Sequence, residues 1–149
     1  LTETSFSLIN TSYSNKHNTF TDEKLNHETG VFYYQVQATE NFPNSYTALS
    51  NTVELVQAPL LHVPNAFTPN GDGTNDTWNI VPVFVKEYHL KVYDRWGKLV
   101  FETTDKHKQM SDKDFNNEIL ALDAFVYVAT YTGFEGTVKQ VTGNVTILK

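Results

Sequence analysis

The sequence predicts an all-β protein that folds as antiparallel β-sandwiches, and three observations support this prediction. Hydrophobic and polar residues alternate with a period of two along several segments, which is typical of half-buried strands. Clusters of Gly, Pro, Asn and Asp separate these segments at short intervals. The one stretch with helical character, "SDKDFNNEILAL", is short and rich in Asp and Asn, so we expect a loop there with room for one helical turn. Strands joined by short turns pair antiparallel, and a sandwich is the economical way to pack them.

The composition limits the classes of function. With 149 residues the chain has room for one domain or two small ones, and 10 Phe and 8 Tyr supply the area for a packed core. The formal net charge is −6 and no basic patch stands out, which argues against nucleic acid or an anionic membrane as a partner. The absence of cysteine excludes disulfides, cysteine zinc sites and thiol nucleophiles. No apolar run approaches the ~20 residues that a membrane-spanning helix needs.

In the first part of the chain, the segment from Val31 to Glu40 is predicted to be one strand. Its alternation places four side chains on one face of the sheet, namely Phe32, Tyr34, Val36 and Ala38. A closing strand, "SNTVELV", follows it.

In the second part, a strand is predicted at "TWNI", and "YHLKVYD" alternates Tyr88, Leu90 and Val92 against polar neighbours. The next strand, "KLVFET", is predicted to align Leu99 with Phe101 on one face. 

Two further strands complete the second part. The stretch from Phe125 to Thr132 is β-branched and aromatic almost throughout, which predicts a strand buried on both faces. The last strand is predicted to run from Val138 to Lys149.

Two hairpins join these strands. In "YDRWGK" the glycine, Gly97, stands where positive φ is needed, which predicts a type I turn closed by a bulge. The segment "TGFEGT", from Thr132 to Thr137, links the last two strands in a similar way.

A domain boundary is predicted where Pro59 and Pro64 bracket a short apolar segment. Proline cannot donate a hydrogen bond to a β-ladder, so it favours strand edges and junctions between domains. We place the boundary at Gln57 to Leu60, which gives an N-terminal domain of residues 1–58 and a second domain of residues 59–149.

The first part carries Thr21-Asp22, Leu25, the alternating "YYQVQA" and the closing "SNTVELV". In this order they resemble the second half of a fibronectin type III or related immunoglobulin-like domain. The resemblance implies a tyrosine-bearing strand that packs inward, and about four of the seven strands usual in such a fold. Because the earlier strands are missing and "LTETSFSLIN" is not a signal peptide, we expect the sequence to be a piece of a longer chain. The alternative is that these strands join the second part in one larger sandwich.

The second part carries three motifs in order, "VPNAFTPNGDGTNDTWNI", "LKVYDRWGKLVFET" and "FVYVATYT", before a terminal strand. Together they resemble the gliding-motility-associated C-terminal domain of Bacteroidota, also called the type B sorting domain of the type IX secretion system. The resemblance covers residues 61–149. The family's Arg-Trp-Gly turn corresponds to Arg95, Trp96 and Gly97. Its loop motif corresponds to Pro69, Asn70, Gly71, Asp72, Gly73, Asn75 and Asp76.

Two departures from the family pattern lie in the middle of the second part. Relatives have Trp-Asp-Gly where this sequence has Phe115-Asn116-Asn117, and a Pro-x-Gly is replaced by the segment from Leu122 to Phe125. This segment is therefore a divergent loop, and no role carries over to it.

The resemblance implies a non-enzymatic C-terminal secretion signal. It implies that the domain directs a large surface adhesin through the type IX secretion translocon, together with a PorP/SprF-like outer-membrane protein. The cargo would then cross the outer membrane and stay at the cell surface or outside the cell, where it would serve gliding motility or attachment. The residues are consistent with a non-enzymatic domain, because the sequence contains no recognisable nucleophile elbow, paired carboxylates or Ser–His arrangement.

Two groups of residues are candidates for recognition by a partner. Arg95, Trp96 and Gly97 would present an aromatic and a cation at a hairpin tip, as interface hot spots do. The alternative is that Trp96 folds over the end of the sandwich and Arg95 pairs with an acid. The terminal strand, with Val145, Ile147 and Lys149, would offer an edge for an added strand. The alternative is that its apolar residues complete the core.

The Asn-Gly-Asp-Gly loop also suggests a calcium site. Asn70, Asp72, the Thr74 carbonyl and Asp76 stand at alternate positions, as oxygen ligands do in calcium loops. The full EF-hand pattern fails at both ends, where Thr68 and Asn79 stand. The alternative is a folding device in which Asn and Asp side chains cap turns and glycines take positive φ. 

No other metal or cofactor is expected, because no two of the five histidines have metal-pair spacing. The alternative function is therefore a calcium-stabilised adhesive β-sandwich module that binds protein or glycan ligands. 

Overall fold

The computed structural model describes residues 6–11, 19–40, 46–115 and 124–148. The elements in this part of the chain, in order, are β1 (Val31–Tyr34), β2 (Gln37–Thr39), β3 (Thr47–Leu49), β4 (Val53–Val56), β5 (Leu60–His62), β6 (Ala66–Phe67), β7 (Val81–Val83), β8 (Val85–Tyr93), β9 (Leu99–Thr103), the 3-10 helix η1 (Asp112–Phe115), β10 (Ala124–Gly133) and β11 (Val138–Ile147). Two compact units share these elements: Leu1–Asn26 with Phe32–Leu55, and His27–Val31 with Val56–Lys149. The described part is thus all-β, as the alternation predicts, and contains no α-helix.

The second unit is an antiparallel β-sandwich of the immunoglobulin-like kind. Its main sheet has five strands in the order β6-β11-β10-β8-β9, and only the short β6–β11 pair is parallel. The antiparallel strands β5 and β7 form a smaller sheet, and Leu61 of β5 packs against the core. The strand order follows from the two predicted hairpins, because β8–β9 and β10–β11 are each joined by a short turn.

The core lies on one face of the main sheet, as the alternation along β8 predicts. Tyr88, Leu90 and Val92 are buried at 6%, 1% and 0% exposure, while the residues between them are partly exposed. The remaining core members come from β6, β9, β10, β11 and the connections between strands, and they include Phe67, Trp78, Ile80, Phe101, Met110, Phe115, Phe125, Tyr127, Ala129, Val145 and Ile147.

The prediction that the strand after Phe125 is buried on both faces is wrong. In β10 only alternate residues from Phe125 are buried, and Val126 on the other face is 39% exposed. The physical reason is that β10 is central in its sheet but has described elements packed on one face only. Aromatic and β-branched residues suit any pleated surface, so their density does not report how many faces are covered.

The prediction that Leu99 aligns with Phe101 is also wrong. Tyr93 pairs with Leu99 while Val92 pairs with Phe101, so Val100 has no partner of its own on β8. This β-bulge reverses the alternation, and it leaves Phe101 in the core but turns Leu99 to the outer face, where it is 42% exposed.

The strand predicted from Val31 to Glu40 is divided in two. β1 pairs with β4 and β2 pairs with β3, and the ladder is interrupted between them. At the interruption the Val36 N–H donates to the Ser50 hydroxyl at 2.9 Å, and the Ser50 N–H donates to the Val36 carbonyl at 2.8 Å. A side chain therefore replaces a backbone acceptor. The predicted common face is lost, because Val36 and Ala38 are both exposed.

One further segment differs from the prediction. "TWNI" is not a strand, because Trp78 forms a single antiparallel bridge with Met110 and β7 begins only at Val81. The described part of the Asp-rich segment agrees with the expectation of one helical turn, because it contains one turn of 3-10 helix, which buries Phe115. Asn116, Asn117 and Leu122 of the divergent loop lie outside the described residues, as does Lys149 at the end of the predicted last strand.

Candidate recognition site

Strand register brings three sequence-predicted sites to one end of the second unit. β8 ends at Tyr93, opposite Val126 near the start of β10, and Ala124 pairs with Thr146 near the end of β11. The parallel pairing of Phe67 with Ile147 directs the chain after β6 to the same end. The Arg-Trp-Gly turn, the loop of residues 68–76 and the end of β11 are therefore at the same end of the sandwich, which we call the loop end.

The turn that carries Arg95 has the predicted geometry. The Gly97 N–H donates to the Asp94 carbonyl at 3.0 Å, and Gly97 has a φ of +80°. The Asp94 carboxylate accepts from the N–H groups of Trp96 and Lys98, at 2.8 and 2.9 Å. An aspartate at the first position of this turn thus fixes the backbone on which the tryptophan is presented.

Trp96 points into solvent and is 85% exposed. The alternative in which it folds over the end of the sandwich is therefore wrong. The bulge in β9 adds to the same surface, because Leu99, Tyr93 and Val126 stand side by side across three strands on the outer face. Leu99 and Val126 are exposed at 42% and 39%. We call the exposed tryptophan of the turn together with this nearby row the tryptophan patch (Tyr93, Trp96, Leu99 and Val126).

The loop of residues 68–76 is closed by its own carboxylates. Both oxygens of Asp76 accept backbone hydrogen bonds at 2.7 Å, Oδ1 from Gly71 and Oδ2 from Gly73. Asp72 accepts from the Thr74 N–H at 2.7 Å and from the Asn70 side-chain amide at 2.9 Å. Gly71 and Gly73 have φ of +79° and +86°, and Asn75 has +54°. These are the Asx turns and left-handed residues of the folding-device alternative.

A buried tryptophan that the sequence analysis did not single out anchors this loop to the core. Trp78 is 1% exposed, and its Nε1–H donates to the Pro64 carbonyl at 2.7 Å, across the base of the loop. Its backbone exchanges two hydrogen bonds with Met110, at 2.7 and 2.8 Å. The sequence pattern that indicates this burial is the spacing of Trp78 and Ile80, two positions apart on either side of a polar residue. Trp78 and Ile80 are each 1% exposed.

The calcium site stays a prediction. The described residues contain no group of three or more His, Asp and Glu side chains placed to hold a metal ion. Both loop carboxylates already accept N–H groups, so a calcium ion would have to compete with these hydrogen bonds. Melting curves with excess EDTA and with millimolar calcium test it, and a rise of the melting temperature with calcium alone would establish the site.

Asp76→Ala is expected to lower the free energy of unfolding by about 1–2 kcal/mol, because two charge-assisted hydrogen bonds are lost from a partly exposed site. Urea denaturation of the full chain measures this. Thr77→Ala is a control, since its hydroxyl bonds only the exposed side chain of Gln109. A variant that keeps the parent stability and yet fails to be exported would instead make Asp76 a contact residue.

The loop is also expected to respond to acid through Asp72. Hydrogen bonds from the Asn70 side chain and, second, from the Thr74 N–H hold the pKa of Asp72 below its ordinary value of 3.8. A carboxylate with a lowered folded-state pKa stabilises the fold above its unfolded pKa and loses that contribution as the pH falls through the folded-state pKa. We expect the melting temperature of the parent to exceed that of Asp72→Asn at pH 6, and the difference to shrink as the pH is lowered below 3.8. A difference that is constant over this range would contradict the assignment.

The end of β11 contributes to both the core and an edge. Val145 and Ile147 are 0% exposed, so their side chains complete the core. β6 pairs with β11 only at Thr146 and Ile147. From Val138 to Asn144, no strand in the described part of the chain occupies the outer edge of β11.

These features define a β-sandwich domain with an ordered loop, an exposed aromatic turn and an open strand edge. Exposed aromatic residues and open strand edges are features by which domains bind protein partners. Residues 61–147 match the CHU_C type IX secretion signal domain, which is more than half of the chain. The chain belongs to this family, and the resemblance given by the loop and Arg-Trp-Gly motifs is confirmed. No curated protein and no solved structure matches.

Membership of this family indicates the role of the domain. The family is one of sorting signals and not of catalytic domains. Membership implies interaction with the type IX secretion system and export to the cell surface or the extracellular space. None of the helical segments in the described residues has the length and apolar character of a membrane span.

Proposed function

We propose that this domain is the address by which a large surface adhesin is exported through the type IX secretion system, for gliding motility or attachment. The match of residues 61–147 to the secretion signal family carries the proposal. The adhesin as cargo rests on the motif resemblance. The resemblance of the first part to a fibronectin type III domain rests on the sequence alone.

We propose that the type IX secretion system recognises the domain by binding the tryptophan patch. A tryptophan offers the largest contact area of any side chain, and interface hot spots are enriched in Trp, Tyr and Arg. Trp96 stands on a turn in which the Asp94 carboxylate and carbonyl accept hydrogen bonds from the N–H groups of the following residues. Because this backbone is ordered before binding, little conformational entropy is lost on contact. Arg95 and Lys98 flank the patch and favour an acidic rim on the partner.

The partner proposed for this surface is the translocon together with a PorP/SprF-like outer-membrane protein. The open edge of β11 from Val138 to Asn144 offers a second mode of contact, in which a strand of the partner adds to the sheet. Side chains of Val145 and Ile147 would act there only by holding β11 in place, since both are buried. The role of Lys149 rests on the sequence alone.

A reporter fusion tests the function. A fluorescent protein carrying all 149 residues at its C-terminus is produced in a gliding bacterium that has this secretion system, and in the same strain without the translocon. We expect protease-accessible reporter on the surface of the first strain and none on the second. Reporter retained in both strains would overturn the sorting function. If the purified chain then bound cell-surface protein or glycan in a calcium-dependent way, the adhesive module would be the better assignment.

A further inference from the structure

The compact unit that contains the sorting domain includes a segment far upstream of the family match. His27–Val31 belongs to the same unit as Val56–Lys149, although the match begins at residue 61. The segment, which we call the strap, is separated from the rest of its unit by Phe32–Leu55.

The first contact of the strap is with the corner between β7 and β8. The Phe84 N–H donates to the His27 carbonyl at 2.8 Å, and the two rings meet edge to face, with centroids 5.7 Å apart at 87°. Phe84 has a φ of +56°, which is unfavourable for a bulky side chain. Such a conformation persists only where its surroundings hold it, and the strap supplies part of those surroundings.

The second contact is electrostatic. The Glu28 carboxylate lies 3.4 Å from Lys106 Nζ and 3.9 Å from His107 Nε2, in the connection that follows β9. Lys106 also donates to the Val85 carbonyl, and its side chain is only 21% exposed. The lysine thereby joins the strap to the first residue of β8.

The third contact is steric. Gly30 is buried, and its carbonyl accepts the Gln57 N–H at 2.7 Å. A side chain at position 30 would clash with the ring of Phe134, which stands in the turn between β10 and β11. Only a residue without a side chain lets the strap lie against this ring.

We propose that the strap is an integral part of the folded sorting domain, so that the domain includes residues from His27 and does not begin at residue 59. It docks on three connections: the β7–β8 corner, the segment after β9 and the β10–β11 turn. These three contacts are made with residues outside the loop end, so the strap is a positioning element and not part of the recognised surface. This proposal goes beyond the sorting function, and its test does not depend on export.

The test uses the buried tryptophan as a local probe. The chain has two tryptophans, so Trp96→Phe leaves Trp78, in the core of the sorting domain, as the sole emitter. In this background of the full chain, Gly30→Leu is expected to lower the midpoint of the Trp78 thermal transition by about 5 °C or more. Phe134→Ala makes room for the new side chain. Relative to the Phe134→Ala variant, adding Gly30→Leu should therefore lower the midpoint by much less than Gly30→Leu lowers it in the Trp96→Phe background.

Ser50→Ala is the matched control. Its hydroxyl accepts the Val36 N–H in the other unit, so its loss weakens upstream structure without touching the strap. We expect it to leave the Trp78 transition unchanged. An unchanged midpoint in Gly30→Leu, or an equal fall in Ser50→Ala, would overturn the proposal. Because the readout is made on purified protein, failure here is distinct from failure of the reporter to be exported.

Discussion

Trp96→Ala is expected to reduce surface delivery of the reporter fusion at least about tenfold, because loss of a central aromatic anchor removes 2 kcal/mol or more of binding free energy. The melting temperature should be unchanged, since Trp96 is 85% exposed and its turn is held by the Asp94 backbone and carboxylate. The measurement is the fraction of reporter on the cell surface, together with a melting curve of the purified chain.

Leu60→Ala is the control for this prediction. Leu60 is 51% exposed and pairs with Val83, beside the β7–β8 corner and at the end opposite to the loop end. It therefore removes a solvent-exposed apolar side chain far from the tryptophan patch. Normal delivery of Trp96→Ala, or equal losses in both variants, would refute the patch as the recognised surface.

Trp78→Ala is expected to have the largest effect on stability, with a loss of about 3–5 kcal/mol in the free energy of unfolding. The change removes the ring that packs beside Tyr127, at a centroid distance of 5.7 Å, and it leaves the Pro64 carbonyl without its donor. A loss of this size is a large part of the stability of a small domain. Urea denaturation of the full chain measures it.

Trp78→Phe weights the two contributions differently, because it removes the indole donor and the five-membered ring but keeps a six-membered aromatic ring in the core. We expect it to cost about 1–2 kcal/mol. If Trp78→Ala lay within 1 kcal/mol of the parent, the anchoring of the loop to the core would be disproved.

Local chemistry explains what the sequence could predict. The buried face of β8 and the turn at Gly97 depend on residues within a few positions of one another, and both agree with the structure. The Asx turns of the loop are equally local, because Asp72 and Asp76 bond to N–H groups no more than five residues away. The motifs in this region also suffice for the family, which the match confirms.

The parts that could not be predicted depend on distant residues. The outward turn of Leu99 follows from a bulge in the pairing with β8, and no local pattern signals it. The role of Trp78 rests on Pro64, 14 positions earlier, and on Met110. The contacts of the strap join Glu28 to Lys106 across 78 positions, so a domain boundary drawn from prolines alone could not include it.

The length of β8 has an electrostatic consequence. Its nine residues span about 30 Å, between the corner at Phe84 and the turn that carries Trp96. At physiological salt the screening length is about 8 Å, so charges near Phe84 produce almost no potential at Trp96. Glu28 and Lys106 lie at the Phe84 end of the strand, where Lys106 donates to the Val85 carbonyl. Changes of charge at that end should therefore leave the rate at which a charged partner approaches Trp96 almost unchanged, so the two ends of β8 are electrostatically independent.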